Sequence, residues 1–126
     1  MATSAGSGRP GRIPSRDFPT IYRDGAKAVG ALLVLFFQPN DGGTTLAVVA
    51  SRKIGKAVTR NRAKRLLREA FRAHAGRLTK DGAYVLVARA GIRDKKMDHV
   101  AGELGKLLTR LDLLSDAEMR RDGNDS

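Results

Sequence analysis

The stretch S-R-K-I-G-K-A-V-T-R-N-R-A-K-R-L-L-R-E-A-F-R, from Ser51 to Arg72, reads as the end of a strand running into a basic amphipathic helix. Ala63, Leu66, Leu67, Ala70 and Phe71 recur at helical spacing. At about 100° per residue they form one apolar arc; Asn61, Arg65, Arg68 and Arg72 fall on the opposite face, with Arg62 and Lys64 at its flanks. Thr59 is the expected cap of this helix. Nine cations (Arg52, Lys53, Lys56, Arg60, Arg62, Lys64, Arg65, Arg68, Arg72) stand against one anion, Glu69, a surplus of eight within a formal net charge of +11. Solvated helix faces usually intersperse Glu and Asp for i,i+4 pairing, and this face has almost none. Charge of one sign so concentrated predicts a polyanionic partner.

Upstream, a short helix containing Phe18, Ile21 and Tyr22 is expected, capped at Ser15 or Asp17 and stopped at Gly25 in a left-handed conformation. A start at Asp17 avoids placing Pro19 where a missing N–H matters. Lys27 to Ala31 reads as a short edge strand and Leu32 to Gln38 as an apolar strand. Pro39-Asn40-Asp41-Gly42-Gly43 supplies turn chemistry before the Thr- and Val-rich run Thr44 to Ser51, a hairpin signal. Downstream, Lys80-Asp81-Gly82 is a turn, Ala83 to Arg89 a buried-type strand, and Gly91 ends it. A last helix carries the stripe Met97, Val100, Ala101, Leu104, Leu107, Leu108, Leu111 and Leu114, weakened by Gly102 and Gly105. Helix, two or three strands, basic helix, strand, helix is an order that predicts a two-layer α+β sandwich.

A chain of 126 residues with 41% hydrophobic composition has room for one core. Residues 1–11 are rich in Gly, Ser, Ala and Pro and are expected to form a disordered tail, 12–115 the domain, and 116–126 a polar C-terminal tail. No apolar run approaches the roughly 20 residues needed to span a bilayer, and Met1 to Gly11 lacks the apolar core of a secretory signal. A cytoplasmic protein without a membrane partner is expected. The chain has no cysteine, which excludes disulfides and thiolate metal sites.

Arg offers planar phosphate contacts and stacks on unpaired bases, so structured RNA is favoured over DNA. Phe18, Tyr22 and Phe36 are either core residues or stacking platforms beside a cationic groove; spacing leaves both open. Gly55-Lys56 lacks the upstream glycine and the following Ser or Thr of a phosphate-cradling loop. His74 and His99 lie far apart, and Asp17, Asp24, Asp41, Asp81, Asp94, Asp98 and Glu103 are scattered, which suits turns, caps and surface rather than a metal nuclease site. No catalytic or metal-ligating residue is expected on this chain.

The Ser51 to Arg72 string, with Arg60-Asn61-Arg62 inside it, closely resembles the signature of the protein component of bacterial ribonuclease P. R-D-F-P-T-I-Y-R-D-G (Arg16 to Gly25) resembles that family's first helix and following turn, and Y-V-L-V-A-R (Tyr84 to Arg89) its last strand; the similarity runs over about residues 12–114. The resemblance implies an αβββαβα sandwich with a small mixed sheet and a left-handed βαβ crossover, the arrangement of domain 2 of ribosomal protein S5. About 98% of such crossovers are right-handed, so the hand comes from the resemblance alone. It further implies a protein cofactor, monomeric within a ribonucleoprotein, for a catalytic RNA that holds Mg2+ and removes the 5′ leader of precursor tRNA. Arg60, Asn61, Arg62, Lys64, Arg65, Arg68 and Arg72 then face the catalytic RNA, while Phe18, Tyr22, Phe36, Ser51, Arg52, Lys53 and Lys56 line or edge the leader cleft. Arg52 stands where Lys is commoner, and Pro19 and the Gly-rich start are not family features. The rival readings are a ribosomal or other structured-RNA-binding protein without a processing role, and a nuclease active without RNA.

Overall fold

Each periodic segment forms the element its spacing predicts. The computed structural model describes residues 11–40 and 42–115. After a 3-10 turn at Ser15–Asp17 come α1 (Phe18–Asp24), β1 (Ala26–Val29), β2 (Leu33–Pro39) and β3 (Thr45–Val49). A 3-10 turn at Arg52–Ile54 leads into α2 (Ala57–Ala75), followed by β4 (Gly82–Ala88), a 3-10 turn at Ala90–Ile92 and α3 (Met97–Arg110).

The sheet order is β1-β2-β4-β3. β1 runs antiparallel to β2 with Lys27 opposite Phe36, β2 antiparallel to β4 with Phe36 opposite Val85, and β3 parallel to β4 with Val49 opposite Val87. β3, α2 and β4 therefore make a parallel crossover, and the hairpin expected around Pro39 to Gly43 does not form. β2 and β3 are not neighbours, because β4 inserts between them; the hairpin of this sheet is β1–β2. Every β4 residue except Val87 is buried. A strand apolar on both faces suits the interior of a sheet with a partner along each edge. Turn residues reverse the chain without choosing which strand it will lie against.

The strand period of two gives the sheet two different faces. On one, Leu33, Leu35, Phe37, Tyr84, Leu86 and Ala88 meet Leu66, Leu67, Ala70 and Phe71 of α2 and Val100, Leu104, Leu107 and Leu108 of α3. Tyr84 lies at its middle, with its ring centroid 4.8 Å from Phe37 and 5.2 Å from Phe71. Its hydroxyl donates to the Lys80 carbonyl at 2.6 Å. On the other face Ile21 of α1 packs on Ala83 and Val85, with Ile13, Phe18, Phe36, Ala47, Val49 and Val87 partly buried around them.

The turn closing β1–β2 is clamped from α3. The half-buried Glu103 carboxylate accepts from the N–H groups of Ala31 at 3.2 Å, Leu32 at 2.6 Å and Leu33 at 3.0 Å. Gly30 leaves room beneath it, since a Cβ there would push the carboxylate aside. Arg89 and Arg110 donate to the Gly30 and Val29 carbonyls at 2.9 and 3.1 Å.

Several boundaries differ from those expected. Of the two starts expected for α1 the structure takes Asp17 as the N-cap position, which puts Pro19 in the first turn where its missing N–H is harmless. Gly25 is extended (φ −73°, ψ 160°) rather than left-handed; it is needed for space, because a Cβ would come within 2.9 Å of the Phe37 carbonyl oxygen. α2 starts before Thr59: Lys56 takes the N-cap position without a side-chain cap, and the Arg60 N–H donates to its carbonyl at 2.9 Å. α3 ends at Arg110, so Leu111 and Leu114 of the apolar stripe lie beyond it. Asp112 (φ 61°) turns the chain there, and Leu113 and Leu114 stay buried, with Leu114 bridging to Leu78. Of the tails, residues 1–10 and 116–126 lie outside the described residues. Gly11 bonds to β3, donating to the Thr44 carbonyl at 3.1 Å and accepting from the Leu46 N–H at 3.0 Å. Among the described residues no helix is long and apolar enough to cross a membrane.

Candidate nucleic-acid interface

The helical arc places its two sets of side chains as their spacing dictates. Ala63, Leu66, Leu67, Ala70 and Phe71 are buried against the sheet, which turns Asn61, Arg65, Arg68 and Arg72 outward, all exposed. Ion pairs among the described residues join Arg23 to Asp24 at 3.2 Å and, when the imidazole is protonated, His99 to Asp98 at 3.5 Å. Neither touches α2. Among the described residues the ridge therefore presents its charge to solvent with no carboxylate at ion-pair distance.

The flanking cations are used differently. Arg60 is half-buried and donates through Nη1 to the Gly55 carbonyl at 3.1 Å. Arg62, also half-buried, donates through Nη1 to the Arg93 carbonyl at 3.1 Å and through Nη2 to the Lys95 carbonyl at 2.8 Å. Lys64 is half-buried on the opposite flank.

Ser51, Arg52, Lys53 and Lys56 are all exposed on the link between β3 and α2. The Ser51 hydroxyl accepts from the Lys53 N–H at 3.3 Å and so caps the 3-10 turn. Ile54, 2% exposed, pins that turn to the core. Gly55 adopts φ 145°, a conformation that L side chains rarely take, and lets Thr59 lie over it.

On the sheet face opposite α2, three aromatics form a ladder. Phe18 and Tyr22 share one side of α1, with ring centroids 6.0 Å apart; the Tyr22 ring meets Phe36 edge-on at 4.8 Å. Phe18 and Phe36 are half-buried, whereas Tyr22 is 41% exposed. Partial burial raises the Tyr22 phenol above its ordinary pKa. Lys27 stands over the Phe36 ring with Nζ 5.7 Å from its centroid, a cation–π contact. Sequence reading gave Lys27 no role; the register that sets it opposite Phe36 becomes visible only once the β1–β2 pairing is known.

The aromatic ladder and the Ser51–Lys56 cations do not touch. Phe36 on β2 is level with Val85 of β4 and Ala47 of β3, so two strand spacings, about 10 Å, separate it from β3, and Val49 lies two residues, about 7 Å, further along. Val87 and Val49 floor this gap, which is walled by α1 on one side and edged by cations on the other.

An α+β domain with a cationic helix that makes no ion pair among the described residues on one sheet face, and an aromatic ladder near exposed cations on the other, defines an RNA-binding protein. Comparison with known proteins makes that class specific. The family model for ribonuclease P matches residues 13–112. The ribonuclease P protein component of Desulforamulus reducens is 40% identical over 98 residues, covering 71% of this chain and 87% of that one. That of Nitratiruptor sp. is 36% identical over 96 residues, covering 76% and 86%. Among solved structures, the RNase P protein of Thermotoga maritima superposes with a TM-score of 0.71 at 31% identity, covering 79% of this chain and 96% of that one. The Staphylococcus aureus RNase P protein gives 0.73 at 26% identity, covering 82% and 97%. The chain belongs to the ribonuclease P protein family. It is a tRNA-processing subunit of that endoribonuclease and a partner of its RNA, rather than a ribosomal protein.

Proposed function

We propose that the outward face of α2 docks the catalytic RNA, and that the groove between α1 and the β3–α2 link holds the single-stranded 5′ leader of precursor tRNA. The observation that carries this reading is the ridge of Arg65, Arg68 and Arg72, exposed and without a carboxylate partner among the described residues. Each phosphate such a ridge neutralises releases condensed counterions. Two polyanions are then able to approach each other in one cytoplasmic ribonucleoprotein, with the leader held against the RNA. Tyr22 and Phe36 give unpaired bases a stacking surface, and Ser51, Arg52, Lys53 and Lys56 meet the leader backbone along the facing edge.

Among the described residues no three His, Asp or Glu side chains converge as metal ligands, so no step is assigned to a protein-bound ion. Mg2+ is assigned to the RNA, together with the cleavage chemistry. The polypeptide's contribution is proximity and charge screening.

Reconstitution with the catalytic RNA at low magnesium tests this directly: precursor cleavage should depend on the protein. Arg65→Ala or Arg68→Ala should weaken binding of the catalytic RNA and lower the slope of log affinity against log salt by about 0.7 to 0.9 per lost phosphate contact. Cleavage indifferent to the protein, or an unchanged slope in both variants, would count against the proposal.

A further inference from the structure

Arg62 carries the charge of its neighbours on α2 but faces elsewhere. Its two carbonyl partners, Arg93 and Lys95, belong to the segment joining β4 to α3. Two acceptors so placed match the planar fork of a guanidinium, which a lysine ammonium does not span as a pair. The segment is held at its other end by Ile92, which is fully buried. It is also held by its own turns, in which the Arg93 N–H donates to Ala90 at 3.3 Å and the Lys95 N–H to Ile92 at 3.1 Å. Fixed this way, Arg93, Lys95 and Lys96 are all exposed. They adjoin the flank of α2 from which Arg62 reaches and so extend the surface that carries Asn61 and Arg65. Asp94 is the one carboxylate in the segment, and it makes no ion pair with a described residue.

We propose that Arg93, Lys95 and Lys96 form a second phosphate-binding element for the catalytic RNA, and that Arg62 is a positioning residue that latches this element to α2. The inference rests on the reading of α2 as the RNA-docking face. A segment ordered before binding loses less conformational freedom on the RNA, which gives the latch a function beyond the charge of Arg62.

The test measures affinity of the full chain for the catalytic RNA of its own holoenzyme at about 50 to 200 mM salt. The triple variant Arg93→Gln/Lys95→Gln/Lys96→Gln should lower the salt slope by about 2 to 3. Arg62→Lys, which keeps the charge, should weaken binding about three- to tenfold, add no further loss in the triple background, and speed amide exchange at residues 93–96 of the free protein. A triple variant with the parental slope, beside an Arg65→Ala variant whose slope falls, would overturn the second element and leave the α2 reading standing. Unchanged slopes in both would overturn the two together. An equal loss from Arg62→Lys in either background would show Arg62 to be an RNA contact, and unaltered exchange would remove the latch.

Discussion

Glu103→Ala isolates the clamp on the β1–β2 turn. The substitution strips three backbone N–H groups of their acceptor. Ala31 is exposed, so its N–H recovers a bond to water, but Leu32 is 8% exposed and Leu33 0%, and their N–H groups are left without a partner. An unsatisfied buried donor costs about 1 to 3 kcal/mol. For two donors at a site partly open to solvent, a loss of about 2 to 4 kcal/mol is expected. For a domain of this size that lowers Tm by roughly 8 to 16 °C. The Leu32 and Leu33 N–H groups share one oxygen, Oε2, so Glu103→Gln, with its amide oxygen in that place, keeps an acceptor for both and should lose clearly less. Urea and thermal unfolding followed by circular dichroism read the stability, and the salt slope of RNA binding under folded conditions serves as a control that should not move. A Glu103→Ala protein within about 0.5 kcal/mol of the parent, or one no less stable than Glu103→Gln, would refute the argument.

Two further perturbations address the groove and the helix layer. Tyr22→Ala removes both the exposed ring and its edge contact with Phe36; binding of precursor tRNA should lose about 1 to 3 kcal/mol per lost base stack while mature tRNA is unaffected, and equal losses for the two would point instead to a folding role. His74 joins α2 to α3, donating from Nε2 to the Ala101 carbonyl at 2.8 Å and accepting at Nδ1 from Arg77 at 2.9 Å. Its pKa is lowered, first by desolvation and further by the Arg77 charge, against a raising effect of the Ala101 bond. The unfolded chain therefore takes up the proton first as pH falls. Stability from this site is full above the ordinary value of 6.5 and is lost as pH falls from there through the lower folded-state value. His74→Gln should flatten the stability curve in that window, and a curve as steep as the parent's would assign the slope to other groups.

Much of the fold is legible in the residues because it follows from short periods. The apolar arc of α2 and the doubly apolar β4 run need only 3.6- and 2-residue repeats to be read, and both lie where those repeats place them. The Pro39 to Gly43 turn was legible as a turn but not as a crossover, because whether β3 meets β2 or β4 depends on a strand about 40 residues further along. Thr59 has the chemistry of a cap, yet its contact with Gly55 places it inside the helix rather than at its start. On the surface the pattern was clearest for Arg65, Arg68 and Arg72, which are exposed and make no ion pair with a described residue. Arg62 was legible by angle as a flank residue, but not as one turned to carbonyls 31 and 33 residues away, a separation no local spacing encodes. Glu103 was legible only as a residue suited to capping, since the N–H groups it holds are 70 to 72 residues upstream.

The link of residues 50–56 joins β3, on the floor of the groove, to α2, on the far side of the sheet. Pinned by Ile54 and bent at Gly55, it is a spacer of fixed length. On the proposed reading, the distance between the leader and the catalytic RNA would then be set by this link as well as by the side chains that contact them. If the proposed docking holds, lengthening the spacer by one residue would keep the α2 ridge and the aromatic ladder intact and still move the two strands out of step, shifting the cut.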